Sequence, residues 1–156
     1  SGNGTADTGS GGVEFAEIMG DKISADTGSG SVKGRSLRGS FSADTGSGSV
    51  KVDGIDDSDF IDIDTGSGSI RIKGDFAGLS SLNLDTGSGD VDIQMLAAPD
   101  MTLRIEVSSG DINVDVPGMK ATKVSRHRLE TAFGKGSGRG VIGTGSGDVD
   151  IHMVKN

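Results

Sequence analysis

Ile61-Asp62-Ile63-Asp64-Thr65-Gly66-Ser67-Gly68-Ser69-Ile70-Arg71-Ile72 alternates apolar and polar residues on both sides of a Thr-Gly-Ser-Gly corner. Period-two alternation marks a strand with one buried face, so the stretch predicts two short strands joined at a bend. The pattern returns as Leu82-Asn83-Leu84-Asp85 before a corner and Asp90-Val91-Asp92-Ile93 after it. Asp-Thr-Gly-Ser-Gly itself occurs five times, starting at Asp7, Asp26, Asp44, Asp64 and Asp85. Aligned on threonine (Thr8, Thr27, Thr45, Thr65, Thr86), the copies are 19, 18, 20 and 21 residues apart. A degenerate copy, Val107-Ser108-Ser109-Gly110, follows after 21 more, and a last one, Thr144-Gly145-Ser146-Gly147, after a further 37.

Stacked on one another, the copies form columns. One inward column reads Ala6, Ala25, Ala43, Ile63, Leu84, Ile105, Ile142. A second reads Val13, Val32, Val50, Ile70, Val91, Ile112, Val149, and a third Phe15, Gly34, Val52, Ile72, Ile93, Val114, Ile151. A lone two-strand unit cannot bury these side chains, whereas coils stacked ~4.8 Å apart can. The small residues of the first column predict a narrower amino-terminal end. The fold expected is therefore all-β: a single-stranded, right-handed parallel β-helix of about seven rungs with an 18–21-residue repeat. It is read as one domain over residues 1–156, with 117–140 as an irregular or extra-rung segment. From Leu84 to Val91 is seven positions, which strict alternation would place on opposite faces. The Gly-Ser-Gly must reset the phase, a task for the backbone freedom of glycine.

Composition agrees. The chain has 156 residues and 28 glycines, five Phe, no Trp, Tyr or Cys, and a net charge of −8. Its core must be built from Val, Ile, Leu and Ala, and the alternation argues against disorder despite the Gly and Ser content. Absence of cysteine excludes disulfides and thiolate metal sites. There is no apolar run of membrane-spanning length and no signal peptide. The chain opens in mid-repeat at Ser1-Gly2-Asn3-Gly4, as a trimmed or mature fragment would. Acidity and scarce aromatics speak against a nucleic-acid partner.

Asp-Thr-Gly-Ser is also the catalytic loop of aspartic proteases. Those enzymes oppose two such loops across a cleft so that two carboxylates share a proton. Five loops stacked in one sense form a ladder instead, and the protease reading is set aside. In the ladder the Asp carboxylates are expected to cap turn amides, with cation binding along the ladder as the alternative, the threonines to stack as a hydroxyl ladder, and repulsion between stacked carboxylates to raise some Asp pKa values. Two outer columns follow the corner. One runs Gly12, Ser31, Ser49, Ser69, Asp90, Asp111, Asp148, the other Glu14, Lys33, Lys51, Arg71, Asp92, Asn113, Asp150. The middle rungs thus carry a short basic stripe. The acidic later rungs raise the question of calcium, against which stands a simple solvated face. The nine-residue calcium β-roll period and the EF-hand loop are both missing.

The stretch Gly118–Gly140 breaks the repeat and collects Lys120, Lys123, Arg126, Arg128, Lys135 and Arg139 against Glu130. Contact with an anionic glycan or lipid and a plain hairpin or extra rung are the two readings. Phe133-Gly134-Lys135-Gly136-Ser137-Gly138 suggests a phosphate loop but fits neither phosphate-loop spacing. With His127 and His152 scattered, neither a triad nor a zinc site has support. No residue is assigned to a catalytic, cofactor or metal site, and no cofactor is expected. Open end rungs would invite end-to-end self-association.

The recurring Thr-Gly-Ser-Gly phrases resemble a bacterial adhesin domain family of otherwise unknown function, similar to the head GIN domain of auto-transporter adhesins. Phe133-Gly134-Lys135-Gly136 followed by Gly140–Val149 also looks typical of that family's carboxyl half. The resemblance covers nearly the whole chain and implies a surface role, with no catalytic residues to carry over. The expected function is a non-enzymatic module of the bacterial cell surface or envelope, binding a glycan, cell wall or protein through a flat face. The alternative is a structural spacer or self-associating scaffold. A carbohydrate-active β-helix enzyme ranks behind both, because sugar platforms of Trp and Tyr are missing.

Overall fold

The computed structural model describes residues 3–117 and 120–154, with the backbone alone for 120–124. All its regular elements are strands: β1 Asn3–Thr8, β2 Val13–Ala16, β3 Met19–Thr27, β4 Val32–Thr45, β5 Val50–Asp56, β6 Phe60–Thr65, β7 Ile70–Asp75, β8 Ser81–Thr86, β9 Val91–Ala97, β10 Met101–Ser109, β11 Ile112–Asp115, β12 Lys120–Ser125, β13 Arg128–Phe133, β14 Gly138–Ser146 and β15 Val149–Met153. The strands before each corner form one ladder and those after it another. The long β4 belongs to both. Pairing is parallel and in register on the repeat: Thr45 faces Thr65, Thr65 faces Thr86, Val50 faces Ile70 and Ile70 faces Val91.

The three inward columns line one core. Ile63, Leu84, Ile105 and Ile142 are fully buried, as are Ile70, Val91, Ile72 and Ile93. The rungs that carry Ala25 and Ala43 also bury the large side chains of Ile23 and Phe41, so small residues in one column do not by themselves define a narrow end.

The corner is held by threonine. Thr65 Oγ1 accepts the amide of Gly68 at 3.1 Å and donates to the carbonyl of Gly48, one rung back, at 2.8 Å. Thr27, Thr45 and Thr86 repeat both bonds, and Thr144 donates to Gly89 O at 2.8 Å. The expected hydroxyl ladder is present. The expected Asp caps are not: threonine does the capping, and the Asp side chains point outward. Nor do the corner glycines work through positive φ. Their need is steric, since a Cβ on Gly48, Gly68 or Gly89 would collide with the carbonyl of the glycine one rung back. The phase reset comes from two consecutive exposed residues, Gly87 and Ser88, between buried Thr86 and buried Gly89.

The coil does not wind in sequence order to its end. In space, β14 and β15 lie between the rung of β8 and β9 and the rung of β10 and β11. The last repeat is thus inserted ahead of the sixth. The ladder supplies a physical reason. Val107, which faces Thr144, has no hydroxyl and cannot link two corners. With Val107 displaced to the distal end, Thr8, Thr27, Thr45, Thr65, Thr86 and Thr144 stay contiguous. The segment read as irregular or an extra rung, 117–140, contains an antiparallel hairpin, with β13 pairing against β10 and β12 against β13. A single all-parallel coil is therefore corrected to a stack with mixed orientation at its distal end. Ser1, Gly2, the side chains of Lys120 and Lys123, and the Lys155-Asn156 tail lie outside the described residues.

Two outcomes follow for stability measured by urea unfolding. Thr65→Val strands a buried N–H and a buried carbonyl and should cost about 1–3 kcal/mol, Thr65→Ser should cost less, and Thr8→Val, at the half-exposed first rung, should be nearly silent. Gly68→Ala should cost about 2 kcal/mol or more by overpacking, whereas Gly9→Ala, with open space around the added Cβ, should stay within about 0.5 kcal/mol.

Candidate interaction surface

With corners and core occupied by structure, chemistry is left to the outer faces. On the ladder before the corner, Asp7, Asp26, Asp44, Asp64 and Asp85 stand in register. Burial pushes the Asp64 carboxyl above its usual value, helped by the charges of Asp85, Asp44 and Asp62. The column continues through Gly143 to Glu106 and then Arg128. Gly143 supplies no side chain, and a depression of about 470 Å³ opens there, lined by Asp85, Glu106, His127 and Arg128 among others. Glu106 is committed to Arg104 at 2.8 Å and Arg128 at 3.0 Å. Asp85 lies two strands from Glu106, about 10 Å in a parallel ladder.

After the corner, the column of Ser31, Ser49 and Ser69 forms a second ladder. Ser31 Oγ accepts the Ser49 amide at 3.4 Å, and Ser49 and Ser69 accept from Ser69 and Asp90 at 3.3 Å each. Asp90 then takes the amide of Asp148 at 2.9 Å, and Asp148 that of Asp111 at 2.8 Å. These later aspartates continue what serine does earlier. Asn113 donates to Asp150 at 3.0 Å. Among the described residues no group of three or more His, Asp or Glu converges as a metal site would.

The phosphate-loop-like stretch has an anion of its own. Oδ1 of Asp100 accepts the amides of Lys135 at 2.7 Å and Ser137 at 3.3 Å. The Ser137 amide leads in holding this carboxyl below its usual value, with those of Lys135 and Gly136 adding to it against some desolvation. Gly134 and Gly136 adopt φ of 63° and 71°, which turns the chain from antiparallel β13 into parallel β14.

The basic stripe is real and wider than one column. Lys33, Lys51 and Arg71 face one another across β4, β5 and β7. Two residues further along the same strands, Arg35, Asp53 and Lys73 form a second column on the same face. Sequence reading named the first column and missed Arg35 and Lys73. The signal was there, because positions i and i+2 of a strand share a face. Arg35 pairs with Glu14 at 3.6 Å and Arg71 with Asp92 at 3.5 Å.

The Toastrack family, DUF4097, a domain family of unknown function, matches residues 6–152. The chain belongs to the Toastrack family. That match takes in every corner of the repeat, the hairpin and the inserted last rung. No curated protein and no solved structure matches the chain. The expected likeness to a β-rich family of unknown function is met in this Toastrack assignment, and the adhesin designation is no part of it. Among the described residues no helix is long and apolar enough to cross a membrane.

The Asp ladder of this Toastrack domain makes a prediction with a definite sign. Asp64 is raised, so the folded state binds its proton more readily than the unfolded state. The penalty on the charged carboxyl, from burial and from its like-charged neighbours, opposes folding in full above the folded value and fades as pH falls through it. At pH 7 and low salt, Asp64→Asn should raise stability by on the order of 0.5 kcal/mol. The advantage should shrink toward about pH 3 and in high salt. Thermal unfolding across pH checks it; a loss of stability at neutral pH would mean the carboxylate has a structural partner.

Proposed function

We propose that this Toastrack domain is a non-enzymatic recognition module of the bacterial cell surface or envelope, an adhesin in the broad sense. It binds a glycan, a cell-wall polymer or a protein through a flat outer face. One observation carries the reading: side chains of like charge recur in register on outer faces, while the depression at Gly143 is an open notch whose Glu106 is already ion-paired. A right-handed sense of coiling goes with the reading, since parallel strand crossovers are almost always right-handed.

A second reading, spacer or self-associating scaffold, is favoured by the outer edges of β1 and β2. Among the described residues, β1 pairs only with β3 and β2 only with β4. Unpaired edges of this kind template further pairing.

Immobilised domain should be exposed to purified cell-wall polymers, neutral and charged glycans and surface proteins, with sedimentation velocity run alongside. Saturable binding to at least one partner, with a monomeric domain and unchanged ligand, is expected. Silence across the panel with concentration-dependent growth would hand the function to the scaffold, and new reducing ends in a glycan would make it an enzyme.

A further inference from the structure

On a chain of net charge −8, the face after the corner gathers Lys33, Arg35, Lys51, Arg71 and Lys73 within three neighbouring strands, with Asp53 among them and Glu14, Asp90 and Asp92 along the rims. The two arginines are tied at the rims to Glu14 and Asp92. Among the described ion pairs none involves Lys33, Lys51 or Lys73. Three shallow depressions, of about 290, 200 and 240 Å³, meet at Lys51. Asp53 lies in the first two and Arg71 in the last two. Together they make one continuous trough that crosses the strands.

We infer that this trough binds a linear polyanion, a single-chain polymer carrying a carboxylate or phosphate about every 5 Å. The inference rests on the recognition reading and names the chemistry of its ligand. Rung spacing fixes the interval between Lys33, Lys51 and Arg71, so an anion repeat near that interval meets a cation at each step. Lysine is a mobile point charge without a rigid fork, which suits a row of similar anions better than one small anion held in a fixed geometry. The patch is two columns wide and flanked by Glu14 on one side and by Asp90 and Asp92 on the other, room for one extended chain. With neither Trp nor Tyr in the chain, attraction must come from charge, and affinity should fall steeply with salt.

The experiment uses the full chain with three probes: polygalacturonate, poly(glycerol phosphate) and neutral dextran. Binding is measured over a salt series for wild type, for the triple variant Lys33→Gln, Lys51→Gln, Lys73→Gln, and for Lys22→Gln with Lys135→Gln as a control away from the trough. One or both polyanions should bind and dextran should not. The triple variant should lose about tenfold or more in affinity and show a shallower salt dependence, with the control unchanged. Preference between the polyanions separates carboxylate from phosphate. Equal loss in the control, or an unaffected triple variant, overturns the trough. Binding of dextran or a protein with both polyanions ignored overturns the polyanion and leaves the recognition reading standing. Binding of nothing, here or in the wider panel, overturns both.

Discussion

Each corner threonine ties two rungs together with one oxygen. Its Oγ1 accepts an amide from its own turn and donates to a carbonyl of the turn before it, at 2.8–3.1 Å for Thr65. Both partners are backbone groups with little access to water, and buried backbone groups left unpaired are costly. The bond to the previous rung also demands close approach, which is why the glycine three residues on can carry no Cβ. Strand register, corner path and glycine content all depend on this one contact. So does the order of rungs in space, since the copy that has valine in place of threonine lies at the end of the ladder and the last copy is taken in ahead of it.

Once the interior is settled by apolar columns and the corner by threonine, the outward positions are free to differ between faces. Before the corner they hold a column of aspartates, in which burial together with the charges of Asp85, Asp44 and Asp62 raises the Asp64 carboxyl. After the corner they hold lysine and arginine in the middle rungs and aspartate and asparagine in the later ones. A solenoid turns a sequence repeat into a spatial row, so one residue choice per repeat becomes a charged line at strand spacing. That is a geometry for meeting something long and regular. A single buried ligand would need concavity and convergent groups.

The alternation around Ile63 and Ile70 made the strands legible, and the spacing of the threonines made the stacking legible. The outward Lys33, Lys51 and Arg71 column was readable for the same reason. Capping was assigned to the wrong side chain because Asp and Thr are adjacent and both are common turn formers; only the positions of Oγ1 and the amides distinguish them. Arg35 and Lys73 were missed although their i+2 spacing held the information. The likeness of Phe133–Gly138 to a phosphate loop reflected a true anion-binding bend, but its anion is the carboxylate of Asp100.

By itself the sequence determined the all-β class, the repeat, the inward columns and the outward charges. These are local properties, set by which face each residue of an alternating strand must take. Tertiary structure alone decided that the last rung enters ahead of the sixth, that β12 and β13 turn back antiparallel, and that three shallow depressions join at Lys51. Those outcomes depend on which edges compete for the same partner. Parallel edges of a repeat are nearly equivalent, and the hydroxyl present in Thr144 and absent from Val107 is a difference between them that the corner ladder can use.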